Sequence, residues 1–193
     1  MMIKKICLPL VALFLLAGCA TRSNTIDVAP QIALPQQDPS LMGITISING
    51  ADNRSDRALA KVTRDNQLTS LTPSRDLRFL LQEVLEKQMT ARGYMIGPNS
   101  PVDLQVIVNR LFADVSQGNL RYNIATKADI SINATAKNGN RMNKQYRSTY
   151  TVEGAFQASN SDIAKAVNTV LTDTIADMAQ DTSVHDFIKQ NAR

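Results

Sequence analysis

The stretch from Leu120 to Lys137 constrains the fold of this chain most. Leu120, Tyr122, Ile124, Ala128, Ile130, Ile132, Ala134 and Ala136 share one parity, interrupted only by Thr126. Arg121, Asn123, Lys127, Asp129, Ser131, Asn133, Thr135 and Lys137 share the other. Side chains of a strand alternate between the faces of a sheet, so the pattern predicts one long strand, dry on one side and wet on the other. Such a strand needs neighbours along its edges and a cover over its dry face.

The flanking sequence supplies the neighbours. Val102, Leu104, Val106 and Val108 lie on even positions, whereas Leu111, Ala113 and Val115 lie on odd ones. A change of parity inside a strand means one extra residue, which predicts a bulge at Asn109 or Arg110. Gly118-Asn119 is expected as a two-residue turn. On the other side, Asn138-Gly139-Asn140 marks a second hairpin. Apolar Met142, Tyr146, Tyr150 and Val152 are even-numbered, like the dry face before them. Only an odd-numbered loop keeps these sets on one side, which predicts a three-residue turn with a glycine bulge. Gly154 marks the end of that strand.

Helices supply the cover. Leu77, Leu80, Leu81, Val84, Leu85 and Met89 recur at helical spacing, with Gln88 the one polar residue on the stripe. Ser74 is the expected N-cap, Asp76 sits in the first turn, and Arg92-Gly93 closes the helix. A second helix is expected from Ser161 to Ala179, burying Ile163, Ala166, Val167, Val170, Leu171, Ile175 and Met178. A short tail helix capped by Ser183 returns Val184, Phe187 and Ile188 to the body. Nearer the start, Ile44, Ile46 and Ile48 alternate within Gly43 to Asn49, a strand expected at the sheet edge. Residues 50–58 read as a polar loop, with short strands near Leu59–Thr63 and Gln67–Leu71. The expected class is α+β: a two-layer sandwich whose mostly antiparallel meander sheet is covered on one face by two helices.

The first 18 residues read as a signal peptide. Lys4 and Lys5 precede an apolar run from Ile6 to Leu16, too short for a membrane span of ~20 residues. Leu16-Ala17-Gly18-Cys19 then resembles a bacterial lipobox. The resemblance implies a diacylglyceryl thioether on Cys19, cleavage after Gly18 and acylation of the new amine. Several acyl chains on one residue hold a protein to a membrane. Ala20 stands where lipoprotein sorting commonly reads aspartate as inner-membrane retention, so the family rule implies the periplasmic leaflet of the outer membrane. Cys7 leaves with the leader and Cys19 is consumed by lipid, so no disulfide is expected. The formal net charge of +4 includes Lys4 and Lys5 and falls when they leave. This weakens the nucleic-acid reading that a basic chain would suggest.

Residues 19–41 read as a lipidated start and flexible tether. Pro30, Pro35 and Pro39 interrupt small and polar residues. Such a tether would hold the domain up to ~60 Å from the bilayer. The alternative is an edge strand through Ile26, Val28, Ile32 and Leu34. Residues 42–193 are then one globular domain.

Catalytic signals are sparse. His185 is the sole histidine; it adjoins Asp186 and reads as a surface residue of a helix start. One histidine and no remaining thiol do not make a zinc site. No phosphate-binding glycine loop appears, and Asp52, Asp56 and Asp65 are interleaved with Arg54, Arg57 and Arg64, which oppose calcium. No catalytic residue, metal or cofactor is therefore expected. Arg54, Arg57 and Arg64, with Lys61, remain as candidate ligand-binding residues, because guanidinium recognises carboxylate and phosphate. The competing reading is a solvated loop with local Asp-Arg pairs. Arg121, Lys127, Lys137, Lys144 and Arg147 read as the charged outer face of the sheet.

Several stretches carry a resemblance over essentially the whole chain. They are the lipobox, Leu34–Gly43, Leu71-Thr72-Pro73-Ser74-Arg75-Asp76-Leu77-Arg78, and Asp181-Thr182-Ser183-Val184-His185-Asp186-Phe187-Ile188. Together they resemble the YajG lipoproteins of enteric bacteria, a family that implies no reaction and no catalytic residues. A fainter similarity in arrangement, an Asn53-Arg54-Ser55 loop and a helix ending Arg92-Gly93-Tyr94, resembles small envelope domains of TolB and of LpoB-type activators. The expectation is a membrane-anchored module with an envelope protein as partner. The alternative is a binding domain for a cell-wall or lipid-derived ligand.

Overall fold

The computed structural model describes residues 23–64 and 66–192, so the leader, the lipobox and Cys19 lie outside the described residues. The elements are β1 (Thr25–Ile26), β2 (Thr45–Asp52), β3 (Ala60–Arg64), β4 (Gln67–Pro73), α1 (Leu77–Arg92), β5 (Met95–Ile96), β6 (Val102–Gln117), β7 (Arg121–Ala136), β8 (Arg141–Ala155), α2 (Asn160–Gln180) and α3 (Ser183–Asn191). The α+β sandwich expected from the sequence forms. Strands β6, β7 and β8 make an antiparallel meander. Helix α1 covers β2 and β6, and α2 with α3 covers β7 and β8.

The bulge falls where parity demands it. The β6–β7 register shifts between Val108 and Arg110. The extra residue, Asn109, turns its amide onto Ser131 Oγ at 2.6 Å and Asp129 Oδ1 at 3.2 Å. The second hairpin has the three-residue turn that keeps even positions facing even ones. Ala136 N donates to Asn140 O at 2.9 Å, and Gly139 takes φ +92°, which only glycine adopts at little cost. The first hairpin differs from expectation by one residue. Gly118 N donates to Arg121 O at 2.9 Å, so the turn residues are Asn119 and Leu120. Leu120, assigned to the dry face, is thereby swung into solvent.

Strand β2 is not the sheet edge. It pairs in parallel with β6 from Ile46↔Val102 to Asp52↔Val108, and β5 closes its outer side. It also runs to Asp52, absorbing the start of the expected polar loop. One edge of β6 is shared, with β2 along its first half and β3 touching at Ala60↔Ala113. A parallel pairing requires a crossover. The chain makes it through β3, β4 and α1, which crosses so close to β2 that a Cβ at Gly50 would collide with the Arg78 carbonyl.

The caps also shift. Asp76, not Ser74, caps α1, its Oδ1 accepting from Arg78 N at 2.8 Å. The Ser74 hydroxyl donates instead to Asp27 Oδ1. Gly93 ends α1 at φ +117°. Ser159 and Asp162 form a reciprocal capping box on α2. Thr182, not Ser183, precedes α3, and Ser183 bonds to Asp181 Oδ1.

Residues 23–41 are the main correction. They form a strap along the seam of α1 and α2, not a flexible tether. Ile26, Val28 and Leu41 are fully buried, and β1 pairs in parallel with the end of β4. Ala29 N donates to Asn168 Oδ1 and Gln31 N to Thr172 Oγ1, while Asn168 Nδ2 returns to Asp27 O. On the other flank, Gln88 Nε2 donates to Ala33 O at 3.0 Å, and Asp38 N donates to Arg92 O at 2.8 Å. Pro30 and Pro35 suit an extended segment whose partners are side chains, because proline removes a donor that no ladder here needs. Truncating a buried Ile26 leaves a cavity, so Ile26→Ala is expected to cost about 2–5 kcal/mol of stability in urea unfolding. A tether residue would leave the midpoint unchanged.

Candidate functional site

Two open grooves flank α1. The first, about 720 Å³, lies between the end of β2 and the start of α1 and is lined by Asp52, Arg54, Arg57, Arg75, Asp76 and Arg78 among others. It brings together Arg54 and Arg57. Arg64 lies elsewhere, at the end of β3, where its Nη2 donates to Asn160 Oδ1 at 2.6 Å.

The guanidinium groups in this groove already hold partners. Arg54 binds both oxygens of Asp52, at 3.0 and 2.9 Å, and its Nη1 reaches Ala58 O and Leu111 O. Arg57 joins the same carboxylate. The Asp52 side chain is only 2% exposed. Burial pushes its carboxyl up, but hydrogen bonds from the Arg54 side chain and backbone outweigh that and hold it below the usual carboxylate value. Arg78 pairs with Asp76, and Arg75 with Glu83. Arg54 thus locks the loop after β2 onto β6. Sequence reasoning missed its burial because Leu111 O lies 57 residues away.

The second groove, about 630 Å³, runs between the strap and the C-terminal half of α1, reaching β5. Ile32, Leu34, Thr90, Ala91 and Ile96 form its floor and walls, and Glu83, Glu86 and Lys87 its rim. Leu34 and the neighbouring Met95 are more than half exposed. Beside them β5, two residues long, ends the sheet on this side. The only sequence signal for this groove was the apolar pair Ile32 and Leu34, read as tether or edge strand.

His185 is not on the surface. Its side chain is mostly buried, shares a hydrogen bond with the Tyr94 hydroxyl at 2.9 Å, and lies 3.6 Å from Asp38. Asp38 also receives Lys189 Nζ at 3.1 Å. Its carboxyl is lowered to about 2 by hydrogen bonds from Ser40 and Lys189. Burial, with Arg92 and Lys189 nearby, pushes the His185 imidazole below its ordinary value. The cluster ties α3 to the strap. Lys144 leaves the outer sheet face expected for it and pairs with Asp181 at 2.6 Å. Among the described residues no cluster of His, Cys, Asp and Glu suits a metal, and no helix is long and apolar enough to cross a membrane.

Residues 30–189 match a family described as "Uncharacterized lipoprotein". The chain is 77% identical over 192 residues to "Uncharacterized lipoprotein YajG" of Escherichia coli strain K12, covering 100% of both chains, and equally to that of strain CFT073. Among solved structures, protein XCC0632 from Xanthomonas campestris is similar with a TM-score of 0.56 at 11% identity, covering 87% of this chain and 99% of that one. At that identity the likeness is one of fold.

Two outcomes follow from the paired groups. Arg54→Ala removes the bidentate, buried partner of Asp52 and leaves it only Arg57 and a backbone N–H, so it is expected to cost about 3 kcal/mol, against less than about 1 kcal/mol for exposed Arg57→Ala, read from urea midpoints. His185 has a folded pKa below its unfolded value near 6.5. Its contribution is therefore whole above that pH and is lost as pH falls through the folded pKa. Stability should begin to drop as pH falls below about 6.5, above the range in which Asp38 titrates, and His185→Gln should flatten that drop.

Proposed function

The chain belongs to the family of uncharacterised lipoproteins matched above, and from that premise we propose an envelope protein that docks a protein partner while anchored through acylated Cys19. The anchor would sit in the outer membrane and the domain would face the periplasm. The domain works in this reading as an assembly module without chemistry of its own.

The apolar groove beside β5 carries the reading. Its walls are two elements fixed against each other, the strap and α1, so the groove is preformed. Preformed concave apolar surface binds with little ordering cost. Along the α1 side the rim is charged, Glu86 beside the paired Glu83 and Lys87, and a polar rim bordering an apolar centre is the anatomy of a protein interface. Glu83 is held as a carboxylate, lowered to about 2 by hydrogen bonds from Lys87 and Arg75. The polar groove supports a ligand reading less well. An anion entering it would have to displace Asp52 or Asp76 from the guanidinium groups.

Photo-crosslinking from Thr90 in intact cells tests the proposal. The expected result is a discrete adduct that Leu34→Glu with Ile96→Glu abolishes, while the unfolding temperature of the variant stays that of the parent. Absence of any discrete adduct, or an adduct indifferent to both charges, would contradict it.

A further inference from the structure

We propose that the end of the domain formed by the start of β4 and the β6–β7 and β8–α2 connections is a membrane-seating surface. There Leu120, Phe156 and Leu68 enter the bilayer that holds the acyl chains. The inference rests on acylation of Cys19 and adds to it an orientation for the whole domain.

The chain enters the body at this end. The Ser23 carbonyl accepts Asn160 Nδ2 at 2.7 Å, and Asn160 Oδ1 accepts Arg64 Nη2 at 2.6 Å. Gln117 Nε2 donates to Thr63 O at 2.8 Å, and Gln117 Oε1 accepts Ala158 N at 3.3 Å. One bonded rim thus joins the entry point to the ends of β3 and β6 and the start of α2. Only Ala20, Thr21 and Arg22 separate Cys19 from Ser23. Even a fully extended chain spans no more than about 14 Å over that interval. With Cys19 at the lipid surface, this rim has no room to stand away from the bilayer.

The rim is also apolar where water would not require it. Leu120 is 77% exposed, Leu68 70% and Phe156 68%. Leu120 occupies the β6–β7 turn, and Phe156 N donates to its carbonyl at 2.9 Å, so the two stand on adjacent connections. Leu68 lies one residue inside β4, opposite Thr63 near the end of β3. Phe156 is held at φ +64°, a left-handed conformation that is costly for a bulky residue. Nothing in the core compensates for it, since its ring points into solvent. Of the other exposed large apolar residues, Leu34, Met42, Met95 and Ile96 belong to the opposite end, and Phe79 stands in the first turn of α1 under the Arg78 guanidinium. Arg121 and Arg64 flank the apolar tips, and guanidinium pairs well with lipid phosphate. Exposed apolar tips flanked by guanidinium groups suit a surface that lies in a membrane interface.

The chain contains no tryptophan, so a single indole reports its own depth. Full-length acylated L120W, F156W, L68W and M95W would be reconstituted in phosphatidylethanolamine–phosphatidylglycerol vesicles with brominated acyl chains. Vesicle flotation and the mass of the N-terminal acyl peptide check the anchor separately. The expected result is blue-shifted, bromine-quenched emission from L120W and F156W, with L68W following, and unshifted, unquenched emission from M95W. Anchored protein whose L120W and F156W indoles stay unquenched overturns the seating while leaving the anchor standing. Indoles shielded from water yet unquenched by bromine mark a protein contact and overturn it as well. Protein that neither floats nor carries acyl chains removes the anchor and the seating together.

Discussion

Two buried polar side chains of α1 hold the layers of this molecule in register. Gln88 Nε2 donates to Ala33 O of the strap and, at 2.8 Å, to Ile175 O of α2. One turn on, Arg92 Nη2 donates to Ala179 O at 2.6 Å and Asp181 O at 2.9 Å, while the Arg92 carbonyl receives Asp38 N. A buried donor left unmade costs ~1–3 kcal/mol, so the Gln88 and Arg92 donors, though not the unpartnered Gln88 Oε1, favour this one arrangement. The carbonyls they reach belong to residues far apart in sequence. Strap, α1 and α2 are therefore one cooperative unit, although each alone is a poor structure. The strap fixes where the chain enters the body, at the N-terminal end of α2, and the direction in which the long strands leave that point.

The polar strap changes the mechanical character proposed for the protein. A flexible tether would let the domain search a volume above the bilayer. Laid down as a strap, the same residues leave a connection too short for any search. Strands β6 and β7, of 16 residues each, then rise from the entry end for about 50 Å. The apolar groove lies towards the far end, against the last turns of α1 and against β5. In this arrangement the position of the groove above the membrane is set by sheet length.

What was legible in the sequence was what local physics decides. The bulge at Asn109 and the three-residue turn ending at Gly139 both followed from parity, because slipping one residue would expose a whole face. The stripes of α1 and α2 were legible from the 3.6-residue period, which is equally local. The strap was not. Its prolines and polar residues are those of a linker, and the backbone groups that fix it, at Asp27, Ala29 and Gln31, find partners more than 100 residues away on α2. Parallel pairing of β2 with β6 was hidden too, since alternation reports that one face is buried and not which neighbour lies alongside. At the candidate site, the arginine cluster was visible, but not that Arg54 would be consumed by Asp52 and two carbonyls. His185 looked like a surface residue because Tyr94 and Asp38, which enclose it, lie more than 90 residues earlier in the sequence. The similarity of fold to a protein only 11% identical shows how few local details the architecture needs.

The account turns on the domain resting against the membrane. Neutron reflectometry of the acylated protein on a supported bilayer measures this directly. The predicted profile has protein density beginning at the headgroups and extending about 50 Å outward, without an intervening water layer. A hydrated gap tens of ångströms deep between headgroups and protein would contradict it, and would return residues 23–41 to the role of a tether.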